Sequence, residues 1–281
     1  MFKKPIPSLS GVVARCSNQS CTSCTLLLLR SVRLAILTTH KRLLSALFLM
    51  ALLPSLSFAD EQVQSLLKQA DAYRQQAGAV KTAVSIDSYV KDVLDKNRLY
   101  EVHSFPQHRS LVVMQSTVEA GQMLLMLDDN YWLIMPKSSR PVRITPVQKL
   151  IGEASTGDIA TLTWAGDYDG NIIERTDTQV TLNLQAQREG LTYEHITLTV
   201  DEKTNAPIRA ELFVKSGKLA KRASFTLGSM NGKTMVTAMT LIDALQDDKR
   251  TEVRYAAQTE SRLPEVVFNP QYLVQNRQLP E

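Results

Sequence analysis

The chain has 281 residues, 44% apolar and 21% charged, with 32 Lys or Arg against 28 Asp or Glu. The positive excess sits in the first 59 residues, which hold seven Lys or Arg and no acid, so residues 60–281 carry 25 (32 − 7) against 28, a net charge of −3. That balance removes the electrostatic case for a nucleic-acid partner, and with no Cys after Cys24 neither disulfide nor thiol chemistry carries the function.

Lys41-Arg42 precede an apolar run from Leu43 to Phe58, and Ser57-Phe58-Ala59 is a small-x-small cleavage site. This is the pattern of a secretory signal peptide cleaved after Ala59, with Asp60 as the first mature residue. Pro54 interrupts the run, which falls short of the ~20 apolar residues of a membrane span; an uncleaved anchor is the alternative. No Cys follows the run, so the chain is not itself a lipoprotein. Cys16, Cys21 and Cys24 precede it, one ligand short of a closed zinc site.

In the body, Val63, Leu66, Leu67, Ala70 and Tyr73 recur at helical spacing and predict an amphipathic helix from about Asp60 to Gln76, ended near Gly78. The period then changes to two. Residues 82–104 read as two strands around Asp95-Lys96-Asn97. Residues 109–118 and 121–128 form a hairpin across Glu119-Ala120-Gly121, and Asp128-Asp129-Asn130 turns into Tyr131–Pro136. Both alternating sets of these strands are apolar, so both faces of the sheet should be covered.

Pro141 and Pro146 bracket Val142–Thr145, and a short helical turn is expected over 147–151. Ser155, with Asp158 three residues on, predicts a capped second helix carrying Ile159, Leu162 and Thr163 and ending near Gly166. Beyond residue 172 strands return as an antiparallel meander, with turns at Arg188-Glu189-Gly190, 201–206 and Ser216-Gly217. Asn231-Gly232 is the strongest hairpin signal, a type I′ dipeptide. A last strand over 251–259 precedes a Pro-rich tail. About ten strands in one antiparallel sheet must curl, which favours a barrel or half-barrel with helices packed against it, a two-sheet sandwich being the rival.

Catalytic and metal patterns are absent from the sequence. His103, His108 and His195 have no metal-motif spacing, and there is no Gly-x-Ser-x-Gly elbow and no phosphate loop. Ser155 beside Asp158 is read as a helix cap rather than a nucleophile. No enzyme activity, cofactor or metal is expected. Met residues, in contrast, fall on or beside the strands: Met114, Met123, Met126, Met135, Met230, Met235 and Met239. Met adapts to irregular apolar guests, although core filling explains each one singly. The expected lining of a greasy cavity is Met114, Met123, Leu125, Met126, Trp132, Leu133 and Met135, with strand parity leaving the inward set open. Lys137, Arg140, Arg143 and Lys149 follow without an intervening acid; Arg140 and Arg143 are expected at the rim, where an Arg fork suits a phosphate or carboxylate.

Trp132-Leu133-Ile134-Met135-Pro136, Arg140-Pro141-Val142-Arg143-Ile144 and Gly152-Glu153-Ala154-Ser155-Thr156-Gly157-Asp158 together resemble the signature of LolA-like outer-membrane lipoprotein-sorting proteins. Tyr168, Pro207, Ser216-Gly217-Lys218 and Phe268-Asn269-Pro270 fit the same pattern. The resemblance covers nearly all of residues 60–281 and is to the branch associated with RND-type (MMPL-like) exporters. It implies an unclosed antiparallel β-barrel with helices on its concave face, in the periplasm of Gram-negative bacteria, monomeric, receiving lipid or lipoprotein acyl chains. It also implies an inner-membrane RND/MMPL-type exporter as a partner. A regulatory or sensory binding module on the same half-barrel, and a hydrolase using the cavity, are the rival readings.

Overall fold

The computed structural model describes residues 55–280 apart from 153, 161 and 162. Residues 1–54 of the leader, with the three cysteines, lie outside the described residues, as do Glu153 and Leu162 of the sequence motifs.

The first helix, α1, spans Ser55–Ala72. It starts earlier and ends sooner than its apolar period predicts, because Tyr73 and Arg74 close it with turn bonds to Ala70 and Asp71. Cleavage after Ala59 would remove its first turn and leave the buried stripe of Val63, Leu66, Leu67 and Ala70 intact.

Six strands follow as an unbroken meander: β1 (Val80–Val90), β2 (Val93–Phe105), β3 (Arg109–Met114), β4 (Met123–Leu127), β5 (Asn130–Ile134) and β6 (Val142–Ile144). The β1–β2 turn falls at Lys91-Asp92, both with positive φ (51° and 61°), and not at Asp95-Lys96-Asn97, which lie inside β2. A two-residue turn with φ > 0 twice is the I′ geometry that matches strand twist, here built from residues that do not advertise it. Asn231-Gly232 makes the same turn with the expected letters (φ 52° and 73°).

The second meander runs through β9 (Tyr168–Arg175), β10 (Gln179–Ala186), β11 (His195–Asp201), β12 (Pro207–Phe213), β13 (Leu219–Met230), β14 (Lys233–Asp243) and β15 (Lys249–Glu260). Antiparallel pairing of β1 with β15 joins the two meanders into one 13-stranded sheet in the order β6-β5-β4-β3-β2-β1-β15-β14-β13-β12-β11-β10-β9. The sheet is open, with β6 and β9 as its edges, and has more strands than the roughly ten legible in the sequence. Residues 145–167 run from one edge to the other. They hold β7 (Lys149–Ile151), paired with β8 (Ala154–Ser155), where a helical turn is expected, and a short helix α2 (Thr156–Ala160).

The two faces are covered separately. On the inner face, α1 packs its stripe on side chains from both meanders, among them Ile86, Tyr100, Leu124, Leu184, Leu198 and Leu241, together with Ile159 and Trp164 of the edge-to-edge segment. Each fully buried Leu or Ile there contributes about 1.5–3 kcal/mol. On the outer face of β3–β5, Leu111, Met123, Leu125 and Ile134 are covered by the C-terminal tail. The tail, legible in the sequence only as Pro-rich, forms a 3₁₀ turn (Glu265–Phe268) and helix α3 (Pro270–Gln275). Asn269 caps α3, accepting from the N–H of Gln271 (2.9 Å) and Tyr272 (3.3 Å), with Pro270 at the first helical position. Only part of the helical cover is therefore concave: α1 and α2 lie inside, α3 outside.

Phe268 pins the tail. Its ring meets Phe105 edge-on at 4.8 Å between centroids, and the Arg109 guanidinium stands 4.8 Å from it. Phe268→Ala is expected to lower the unfolding free energy by about 3 kcal/mol in urea titrations. Val266→Ala, at a 45% exposed neighbour, should stay within about 0.5 kcal/mol.

Candidate functional site

A ligand-sized space forms against the inner face. A groove of about 430 Å³ opens between the end of α1 (Lys68, Asp71), with Gln75 just beyond it, and the β2–β3 turn (Phe105–Arg109), with Met126, Ala160 and Thr163 also in its walls. That volume lies in the range of ordinary ligand pockets. A smaller cavity of about 50 Å³ lies behind it, lined by Arg74, Trp164, Tyr193, Leu212, Phe225 and Met239. Thr163 borders both.

Polar contacts fasten the cover over this face. Asp71, near the end of α1, accepts the N–H of Trp164 on both carboxylate oxygens and that of Ala165 on one, each at 2.8 Å. Gln64, on the same helix, donates to the Tyr168 carbonyl at 2.6 Å and accepts from Gly166 N–H at 3.2 Å. One turn further, the buried Asp167 carboxylate takes the Arg188 Nε at 2.8 Å and lies 3.3 Å from His108 Nδ1. Arg188 also pairs with Asp129 in the β4–β5 turn. The turns of both meanders thus meet the 164–168 loop at one end of the half-barrel.

A second polar knot lies at the start of α2. Asp158 accepts from Ser155 N–H (2.8 Å), Ser155 Oγ (2.7 Å), Lys221 Nζ (2.6 Å) and Tyr193 OH (2.7 Å). Ser155 Oγ accepts in return from Asp158 N–H at 3.4 Å, the reciprocal bonding of a capping box. Ser155 is 1% exposed, and its hydroxyl proton is directed at a carboxylate that Lys221 already neutralises. Gly157 is demanded by close approach: a Cβ there would stand 1.6 Å from Thr192 Oγ1.

The residues expected to line the cavity divide between the two faces. Met114 and Met126 belong to the inner cluster, with Leu133 packed against it. Met123 and Leu125 belong to the outer cluster beneath the tail, with Trp132 beside them. Met135 is half-buried, and its carbonyl accepts from Arg277 at 2.7 Å. The expected rim cations are exposed: Arg140 lies in the β5–β6 connection, and Arg143 stands opposite Trp132, on that residue's outer side of the sheet, bonded to Asn130. Lys137 is exposed in the same connection. The three histidines are separate: His103 contacts Ser261 and Glu101, His108 contacts Asp167, and His195 contacts Asn183. No group of three His, Cys, Asp or Glu among the described residues is placed to hold a metal.

Sequence reading misses Asp71, Arg74, Asp167, Arg188 and the Asp158–Lys221 pair. Two signals were available. Arg74 falls four residues after Ala70, in step with the apolar stripe of α1 just beyond its last residue, and Lys221 shares its alternating set with Ala223 and Phe225, where an apolar residue is the norm.

Burial pushes the Asp71 carboxyl from 3.8 up to about 6, against the pull of Arg74 and the N–H groups of Ala165 and Trp164. Burial and the charge of Asp71 push Asp167 up to about 7. A carboxyl that keeps its proton to higher pH when folded contributes stability below its unfolded pKa and loses it as pH rises through the folded one. The unfolding free energy is therefore expected to fall between about pH 4 and pH 7. Asp71→Asn should flatten the part between about pH 4 and pH 6, read from urea titrations at stepped pH; a variant curve parallel to wild type would contradict it.

A family model described as "Uncharacterized protein" matches residues 106–275, more than half of the chain. No curated protein matches the sequence. Among solved structures, a LolA superfamily protein from Nitrosomonas europaea aligns with 28% identity and a TM-score of 0.68, over 75% of this chain and 98% of that one. A domain named for outer-membrane lipoprotein sorting, from Vibrio parahaemolyticus, aligns with 18% identity and a TM-score of 0.60, over 75% of this chain and 97% of that one. The chain belongs to the family that this model describes, and its open antiparallel half-barrel is LolA-like.

Proposed function

We propose that the protein is a periplasmic carrier that holds a lipid, or the acyl chains of a lipoprotein, on the inner face of its half-barrel and takes part in sorting to the outer membrane. It does so without enzymatic activity. One observation carries this reading: an apolar inner face, continuous across both meanders of an open sheet, is closed by one helix and by one edge-to-edge segment with its short β7–β8 pair and α2. Cover of that kind is exchangeable. The side chains of α1 on the sheet are worth roughly 1.5–3 kcal/mol each, and an acyl chain of about ten methylenes at ~0.8 kcal/mol each supplies a comparable sum. The groove at the end of α1 gives such a chain its way in. The names of the structural neighbours, a LolA superfamily protein and a lipoprotein-sorting domain, support the same class of cargo.

The finer parts of the reading rest on the sequence. Export relies on the leader, Lys41-Arg42 with Leu43–Phe58, and no helix among the described residues is long and apolar enough to cross a membrane. Partnership with an RND/MMPL-type inner-membrane exporter, which would load the carrier, relies on the motif resemblance around Trp132–Pro136 and Gly152–Asp158. A hydrolase needs an activated nucleophile; Ser155, the candidate in the sequence, is committed to capping α2.

Protein purified from a periplasmic extract without detergent is expected to begin at Asp60 and to carry lipid detectable by mass spectrometry. Protein that is repeatedly empty, and that takes up no fluorescent acyl probe, would rule the carrier out. An unprocessed amino terminus would rule out cleavage after Ala59 and favour the uncleaved anchor. Leu67→Ala, which thins the helical cover, should cost about 3 kcal/mol of stability in the empty protein and speed probe uptake in stopped-flow measurements.

A further inference from the structure

Arg74 is the cation in the lining of the smaller cavity. Lys221, the buried cation of β13, is neutralised at 2.6 Å by Asp158, which is itself in the wall of that cavity. The Arg74 side chain is 9% exposed and lies flat against aromatic walls, its guanidinium carbon 3.9 Å from the Trp164 centroid and 5.9 Å from that of Phe225. Its Nη1 is buried and has no hydrogen-bond partner. The nearest carboxylate oxygen, Oδ1 of Asp71, is 3.9 Å away and accepts the Trp164 N–H. A guanidinium carries five N–H donors, and leaving a charged donor buried without an acceptor is among the costlier defects a fold can hold. The donor set borders a cavity of about 50 Å³, and the cavity shares the wall residue Thr163 with the 430 Å³ groove at the end of α1.

We propose that Arg74 is the head-group receptor of this site, and that its ligand is a long-chain carboxylic acid, bound with the carboxylate on the guanidinium and the alkyl chain running into the groove. This rests on the carrier reading of the inner face and adds to it the chemical class of the ligand. The planar fork of an Arg matches two carboxylate oxygens at once. Charge favours a monoanion: the carboxylates of Asp71, 3.9 Å from Nη1, and of Asp158, in the cavity wall, repel a phosphate dianion more than a single carboxylate. The size of the inner cavity favours a carboxylate, since a phosphate with its glycerol attached needs more room. The apolar character of Trp164, Phe225 and Met239 and the adjoining groove favour an alkyl tail over a small free anion.

The experiment compares cis-parinaric acid, a fluorescent polyunsaturated fatty acid, with its methyl ester on the purified, delipidated protein at pH 8. Wild type is expected to bind the acid at least tenfold more tightly than the ester. Arg74→Met should lose that preference and bind both probes with the affinity wild type shows for the ester. Asp71 keeps its bonds from the Trp164 and Ala165 N–H groups in that variant, whose melting temperature is read alongside to show that it folds. Arg74→Lys, which keeps the charge and loses the fork, should show an intermediate preference and carries the test if the Met variant does not fold. Equal binding of acid and ester by wild type, or a preference that survives in the variants, overturns the assignment to Arg74 and leaves the carrier reading in place. Binding of neither probe overturns both. Displacement of the acid by acetate as readily as by dodecanoate shows a small-anion site and overturns the alkyl part.

Discussion

The pairing of β1 with β15 is the constraint on which the rest of the architecture depends. It places the first and last strands of the domain at the centre of one sheet and sends the middle of the chain to both edges. Two meanders of local hairpins become a single surface by this one long-range contact. Because the edges β6 and β9 do not pair with each other, the sheet stays open and residues 145–167 must run from one to the other. That segment is thereby delivered to the inner face, where its Ile159 and Trp164 complete the cover begun by α1.

Openness has an energetic consequence. An unpaired edge and an apolar inner face both need cover, and in this chain the cover is a helix and a loop held by a small number of polar contacts. Asp71 and Gln64 fasten the loop to α1, and Asp167 with Arg188 fastens it to the turns of both meanders. These contacts are directional and few, whereas the strand ladders beneath them are many and mutually supporting. Local opening is expected in such a cover before it is expected in the sheet. The outer face is different: the tail lies on it with Phe268 edge-on to Phe105, and Arg277 donates to the carbonyls of Met135 and Ser138. The basic connection after β5 is held from outside, away from the inner face.

The buried charges divide into two kinds. Asp158 with Lys221, Tyr193 and Ser155 forms a closed set in which each donor has an acceptor, and its effect is to orient the start of α2. Such a set gives geometry more dependably than stability, because desolvation offsets much of the attraction. Arg74 is of the second kind, a buried donor group held by aromatic faces and left without an acceptor.

Alternation and turn letters determined much of this protein from the sequence alone. They placed α1 by its stripe, the hairpins by their breaks, the curl of the sheet by its strand number, and the need for cover on both faces by two apolar sets in one strand. The resemblance carried by Trp132–Pro136 and Gly152–Asp158 pointed to the LolA-like architecture that the fold displays. Parity could not say which set faces inward, since a period of two is blind to the sign of curvature. Only the tertiary structure put Met114 and Met126 inside and Met123 and Leu125 outside, beneath a tail whose helix no periodicity announced. The Lys91-Asp92 turn was equally hidden, because its positive φ values sit on residues that rarely adopt them. The charges around Asp71, Arg74 and Asp167 come together from segments some ninety residues apart in sequence. Their roles are set by burial and by partners that local sequence does not record, and for that reason the fold had to be seen before they could be read.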